Sequence, residues 1–135
     1  MSKRRDCEER FRERYSAPVV EAALAVERDV IGANVGVSGY TTVTQADLLA
    51  ERLSLNSRDM LLDIGSGRGW PALYLAARSG CRAVLTDPAA PALKTAVRSA
   101  DTDGITSRVS VIRASATHPP FAARTFDAVT HTDTL

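Results

Sequence analysis

Cysteine is nearly absent, with two in 135 residues. Cys7 and Cys81 form no Cys-x-x-Cys pair and no Cys/His set with metal-ligand spacing, so neither a disulfide framework nor a structural zinc site is expected. Both are read as free thiols of a reducing compartment. Long apolar runs are missing too: none approaches the roughly 20 residues needed to span a bilayer. The start, Met1-Ser2-Lys3-Arg4-Arg5-Asp6, lacks the apolar stretch of a secretory signal, and the expectation is a cytoplasmic protein. Charge of one sign is not in excess either. With 17 Lys plus Arg against 16 Asp plus Glu, no general electrostatic reason points to nucleic acid or an anionic membrane as partner. Internal repeats and low-complexity tracts are absent, and the length suits a single modest core.

The informative stretch is Leu61-Leu62-Asp63-Ile64-Gly65-Ser66-Gly67-Arg68-Gly69-Trp70-Pro71. It reads as a buried strand over Met60 to Ile64, a glycine turn, and a helix opening at Pro71. Without Cβ, a glycine in such a turn reaches positive φ and lets a ligand rest on the main chain, with amide N–H groups aimed at it. Asp63, near the end of a strand covered on both faces, needs hydrogen-bond donors. Asp87 follows Gly67 by 20 positions and closes a second strand over 82–86, the offset at which an acidic group accepts hydrogen bonds from ribose hydroxyls.

Around this stretch the chain divides in two. Residues 1–43 form an N-terminal helical arm and loop. Residues 3–15, with Arg and Glu interleaved, predict a solvated, frayed helix carrying i,i+4 pairs, the sharper alternative being a lid over a bound cofactor. Pro18 opens a second helix, whose Val19, Val20, Ala23, Leu24, Val30 and Ile31 face the core until Gly32. Residues 33–43 predict a flexible loop, with Tyr40 as a packing residue. From residue 44 the pattern turns α/β. Thr44 to Asp47 resembles a capping box, and Leu48, Leu49 and Leu53 supply the buried side of the helix it opens. The helix after Pro71 ends at Gly80. Another helix spans Pro91 to Ala100 and is broken over residues 101–104. Val109, Val111 and Ile112 mark a third strand, and Phe126 to Thr130 a fourth. His118, beside two prolines, reads as a loop residue.

Asp63-Ile64-Gly65-Ser66-Gly67-Arg68-Gly69 resembles the first motif of class I S-adenosylmethionine-dependent methyltransferases. Leu85-Thr86-Asp87, and Phe121 with Phe126-Asp127-Ala128-Val129, follow in the family's order, so the resemblance covers roughly residues 40–135. It implies an α/β fold, a Rossmann-like doubly wound parallel sheet of order 3-2-1-4 with N-terminal helices, over an S-adenosylmethionine-binding domain at 44–135. The family places Asp63 under the glycine loop and near the cofactor's amino group, Gly65, Ser66, Gly67 and Gly69 along its amino-acid end, and Asp87 with Pro88 at the ribose. Ser115 and Ala116 stand at the adenine, and His131 at the methionine moiety, where it could also serve as a base. Ser115 replaces the family's usual Asp, which weakens the adenine contact by about 1 kcal/mol. Asp127 is largely structural in relatives. No catalytic side chain and no metal is expected.

The family's sheet has seven strands, and the sequence stops after the fourth. The exposed edge of that strand is expected to be covered by a second copy or by the N-terminal helices, or else the chain is a fragment of a longer protein. The implied function is methyl transfer from S-adenosyl-L-methionine to a small-molecule acceptor. A truncated, inactive cofactor-binding or interaction module is the alternative. A nicotinamide oxidoreductase ranks third, because Gly69 falls one position too early for the dinucleotide fingerprint.

Overall fold

The computed structural model describes residues 3–33 and 39–132. Part of the loop expected over 33–43, and the side chain of Cys7, lie outside the described residues. Strands β1 (Met60–Ile64), β2 (Arg82–Asp87), β3 (Val109–Arg113) and β4 (Ala128–Thr130) form one parallel sheet of order β3-β2-β1-β4, as the resemblance implied. Parallel neighbours require crossovers. Helix α4 (Ala72–Ser79) carries the chain from β1 to β2, and α5 (Ala90–Thr102) from β2 to β3.

β1 is central, and Leu61, Leu62 and Asp63 are all buried. Leu61, Ala83 and Leu85 meet Leu73, Leu75 and Ala76 of α4 and Ala96 and Ala100 of α5 in one core. The small side chains of the helices let them sit close on the sheet. Cys81, fully buried in this core, is a free thiol.

β4 starts at Ala128, two residues later than the apolar pattern predicts. Phe126 instead turns edge-on to Phe121, with ring centroids 5.0 Å apart. The Asp127 carboxylate accepts the Met60 N–H at 2.8 Å, and the Asp127 N–H donates to the Met60 carbonyl at 2.9 Å. These bonds set the register of β4 against β1, in keeping with a structural role for Asp127.

The N-terminal helices α1 (Lys3–Ser16), α2 (Glu21–Ile31) and α3 (Val43–Leu53) depart more from the sequence pattern. Pro18 lies in the link between α1 and α2, and the extended Val20 precedes the first turn of α2. Only Glu27 and Ile31 of α2 are buried, with Leu24 half-buried on the same stripe. At 100° per residue, that choice of inward stripe turns Val26 and Val30 outward. They are 64% and 57% exposed, and Val19 and Val20 are exposed with them, so of the expected face only Ile31 is buried and Leu24 half-buried.

α3 is capped at Thr42, two residues before the expected Thr44. The Gln45 N–H donates to Thr42 Oγ1 at 3.2 Å, and the Thr42 N–H to Gln45 Oε1 at 2.8 Å. Thr42 and Gln45 satisfy each other's orphan donors, which leaves Asp47 to bind the Tyr74 hydroxyl and Arg78 of α4. Ala46 is buried and Leu49 and Leu53 pack on the core, but Leu48 is half exposed. Pro71 caps α4 rather than opening its first turn, Gly80 ends it in the left-handed region, and α5 runs two residues past its expected end.

Candidate functional site

The turn between β1 and α4 folds back on the end of β2. The Ser66 N–H donates to the Thr86 carbonyl and the Gly69 N–H to the Ser66 carbonyl, both at 2.9 Å. Gly65 and Gly67 take φ of 67° and 54°, values an L side chain adopts only at a cost. The Gly67 N–H donates to Asp87 Oδ2 at 2.9 Å, and the Ala89 N–H to Asp87 Oδ1 at 2.8 Å. The two places that the sequence put 20 residues apart are therefore in direct contact.

Beneath the loop, Asp63 is 1% exposed and accepts the Thr130 hydroxyl at 2.7 Å. Its carboxyl is pushed up to about 7, chiefly by burial, with the Thr130 bond opposing the rise and the Asp87 charge adding to it. Asp87 is also raised by burial, against the pull of the Ala89 and Gly67 N–H groups. A cation near these two desolvated carboxyls would favour their ionised forms. Thr130, which the sequence reading did not single out, meets the demand for a donor to Asp63.

Gly69 answers to packing. A methyl group there would stand 2.6 Å from Leu73 Cδ1 and 3.3 Å from Ala96 Cβ, so the missing Cβ lets α4 and α5 close under the turn. Gly67 faces the other way, where a methyl would stand 2.7 Å from the Tyr15 hydroxyl oxygen. Tyr15 belongs to α1, whose other described side chains are exposed as expected of a solvated helix, and its hydroxyl end lies against the glycine loop. Arg68 Nη2 donates to the Tyr15 carbonyl at 3.4 Å, and its guanidinium carbon sits 5.4 Å from the Tyr15 ring centroid, within cation–π range. Phe11 stacks on Tyr15 at 6.4 Å. The i,i+4 spacing of these two aromatics was the legible signal of a docking face in an otherwise charged helix.

Closed in this way, the cradle over Gly65, Ser66 and Gly67 is a cavity of about 60 Å3, walled by Phe11, Arg14, Tyr15, Trp70 and Thr132. The buried Ser66 hydroxyl in it has no hydrogen-bond partner among the described residues. Trp70 holds the N-terminal segment in place by donating its indole N–H to the Thr41 carbonyl at 2.7 Å.

The remaining expected site residues are spread along the strand ends. The Pro88 carbonyl accepts Arg113 Nε at 2.9 Å. The Ser115 hydroxyl is hydrogen-bonded to Thr117 Oγ1 at 3.0 Å, and Ala116 is exposed. His131 is exposed, while its neighbour Thr132 lines the cavity. His118 is a loop residue, with Nδ1 bound to Thr117 Oγ1. Tyr40, expected to pack, is 78% exposed and lines a second hollow of about 590 Å3 with Leu48, Leu49 and Arg52. A third hollow, of about 830 Å3, runs between α4 and α5 beneath Gly69. Among the described residues no cluster of His, Cys, Asp or Glu could hold a metal ion, and no helix is long and apolar enough to cross a membrane.

Comparison with known proteins places this geometry. A family model described as "Methyltransferase domain" matches residues 61–135. The methyltransferase GfsG of Streptomyces halstedii is 33% identical over 81 residues, which are 60% of this chain and 29% of that protein. Among solved structures, geranyl diphosphate C-methyltransferase from Streptomyces coelicolor A3(2), in complex with magnesium, geranyl diphosphate and S-adenosyl-L-homocysteine, superposes with a TM-score of 0.66. It is 21% identical over 92% of this chain and 53% of its own. A methyltransferase from Thiobacillus denitrificans, also in complex with S-adenosyl-L-homocysteine, gives a TM-score of 0.64 at 19% identity, over 85% of this chain and 44% of its own. The chain thus spans about half the length of these structures or less, and under a third of its curated relative.

Proposed function

The chain belongs to the methyltransferase-domain family, and from that premise we propose that its glycine loop binds S-adenosyl-L-methionine and that the whole protein transfers the methyl group to a small-molecule acceptor. One observation carries the reading. The glycine loop, the orphaned Ser66 hydroxyl and two carboxylates meet at the carboxyl ends of β1 and β2, where ligands of doubly wound sheets bind.

In this reading Asp87 faces the ribose hydroxyls while its bonds to Gly67 and Ala89 keep it in place. The Ser66 hydroxyl and the main chain of Gly65 and Gly67 take the amino-acid end, Asp63 offsets the ammonium charge, and Thr132 borders the methyl-bearing end. Ser115, Ala116 and His131 remain proposed contacts at the adenine and methionine ends. The cofactor supplies a methyl already made electrophilic by its sulfonium. The protein's part is therefore to orient and exclude water rather than to provide a nucleophile.

The cradle must open first. Its 60 Å3 is well below the roughly 300–1,000 Å3 of small-molecule sites, so α1 has to lift Phe11 and Tyr15 off the loop. That closure also favours a second reading, an interaction module in which α1 stays down and no cofactor enters. Calorimetric titration of the chain with S-adenosyl-L-methionine and S-adenosyl-L-homocysteine separates the two. Saturable heat with both supports the cofactor reading, and no heat at millimolar ligand supports the module.

A further inference from the structure

We propose that the hollow between Tyr40 and α3 holds the methyl acceptor and selects acceptors with an apolar body and one anionic group, an inference that rests on the cofactor reading of the adjoining cradle. Thr132 lines both hollows, so a molecule in the second one reaches the edge of the first. Its volume, about 590 Å3, suits a small-molecule ligand. Leu48 and Tyr40 are 50% and 78% exposed there, apolar surface that an apolar occupant would remove from water.

The charge of the lining points one way. Arg52, in the last turn of α3, is the only charged residue among its described lining residues. Arg52 makes no ion pair among the described residues. Asp47, about 140° round α3 from Arg52, is engaged by Tyr74 and Arg78. An anionic group would give the Arg52 guanidinium a charge-assisted hydrogen bond, whereas an ammonium would meet an uncompensated like charge.

The test uses the full chain saturated with S-adenosyl-L-homocysteine and three probes of one shape, para-butylbenzoate, para-butylbenzyl alcohol and para-butylbenzylamine. Binding is followed by the fluorescence of Trp70, the single tryptophan, whose indole is bonded to Thr41 in the wall of the hollow. The benzoate is expected to bind about tenfold more tightly than the alcohol, as a hydrogen bond to a charged group contributes, and the amine more weakly still. Arg52→Gln should abolish the preference while leaving the calorimetric affinity for S-adenosyl-L-homocysteine unchanged. Equal binding of the three probes, or a benzoate preference that survives Arg52→Gln, overturns the proposal. A wild-type chain giving no heat with S-adenosyl-L-homocysteine would instead overturn the cofactor reading, and the benzoate preference measured without it would still decide the selectivity of the hollow.

Discussion

Asp63 is where burial and charge conflict most sharply. The carboxyl is raised from 3.8 to about 7 by burial, with Asp87 adding to the rise and Thr130 opposing it. A folded-state value above the unfolded one means that the folded chain holds the proton more tightly. The stability this confers is fully present below 3.8 and is lost as pH rises through about 7. The thermal midpoint is therefore expected to fall across that window. Asp63→Asn, which keeps the shape and stays neutral, should flatten the fall, leaving the smaller slope of the same sign that Asp87 contributes. Identical pH profiles for the two proteins would show that Asp63 is not the titrating group. A cation arriving above the two carboxylates acts in the opposite direction by favouring the ionised form.

At the scale of one helix, α1 decides access. Its hold on the loop includes the Arg68–Tyr15 contact and one hydrogen bond from Arg68 to the Tyr15 carbonyl. An exposed cation–π contact contributes about 0.5–1 kcal/mol, so Tyr15→Ala should shift the helix toward the open position and tighten S-adenosyl-L-homocysteine binding roughly two- to fivefold. The gain should appear mainly in the association rate measured by stopped-flow, because the closed form is what the ligand has to wait for. Unchanged rate and affinity in Tyr15→Ala would mean that α1 is no barrier to entry.

At the scale of the molecule, β4 is an outer strand of the sheet among the described residues, and Val129 on it is 53% exposed. An unpaired parallel edge with an apolar side chain is a template for another strand. We expect the chain to self-associate through this edge, with Val129→Lys shifting sedimentation velocity profiles toward monomer. Profiles of wild type and variant that coincide at every concentration would count against that edge as the contact. The strands, the glycine turn and the placing of Asp87 near it were legible in the sequence, because each follows from short-range pattern: apolar runs of strand length, glycines where φ is positive, an acidic residue at a fixed offset, while the strand order came only with the family resemblance. The cap at Thr42 could have been read the same way, since Gln45 stands three residues on. Other features had no local signature. The outward turn of Val26 and Val30, the packing duty of Gly69, the hydroxyl of Thr130 on Asp63 and the closure of the cradle by Tyr15 each join residues far apart in the chain or depend on which face a helix presents. Local conformational preference determines where elements start and what they can be. Which of their side chains meet is decided only when the core closes, because burial is shared among elements and no single segment carries it.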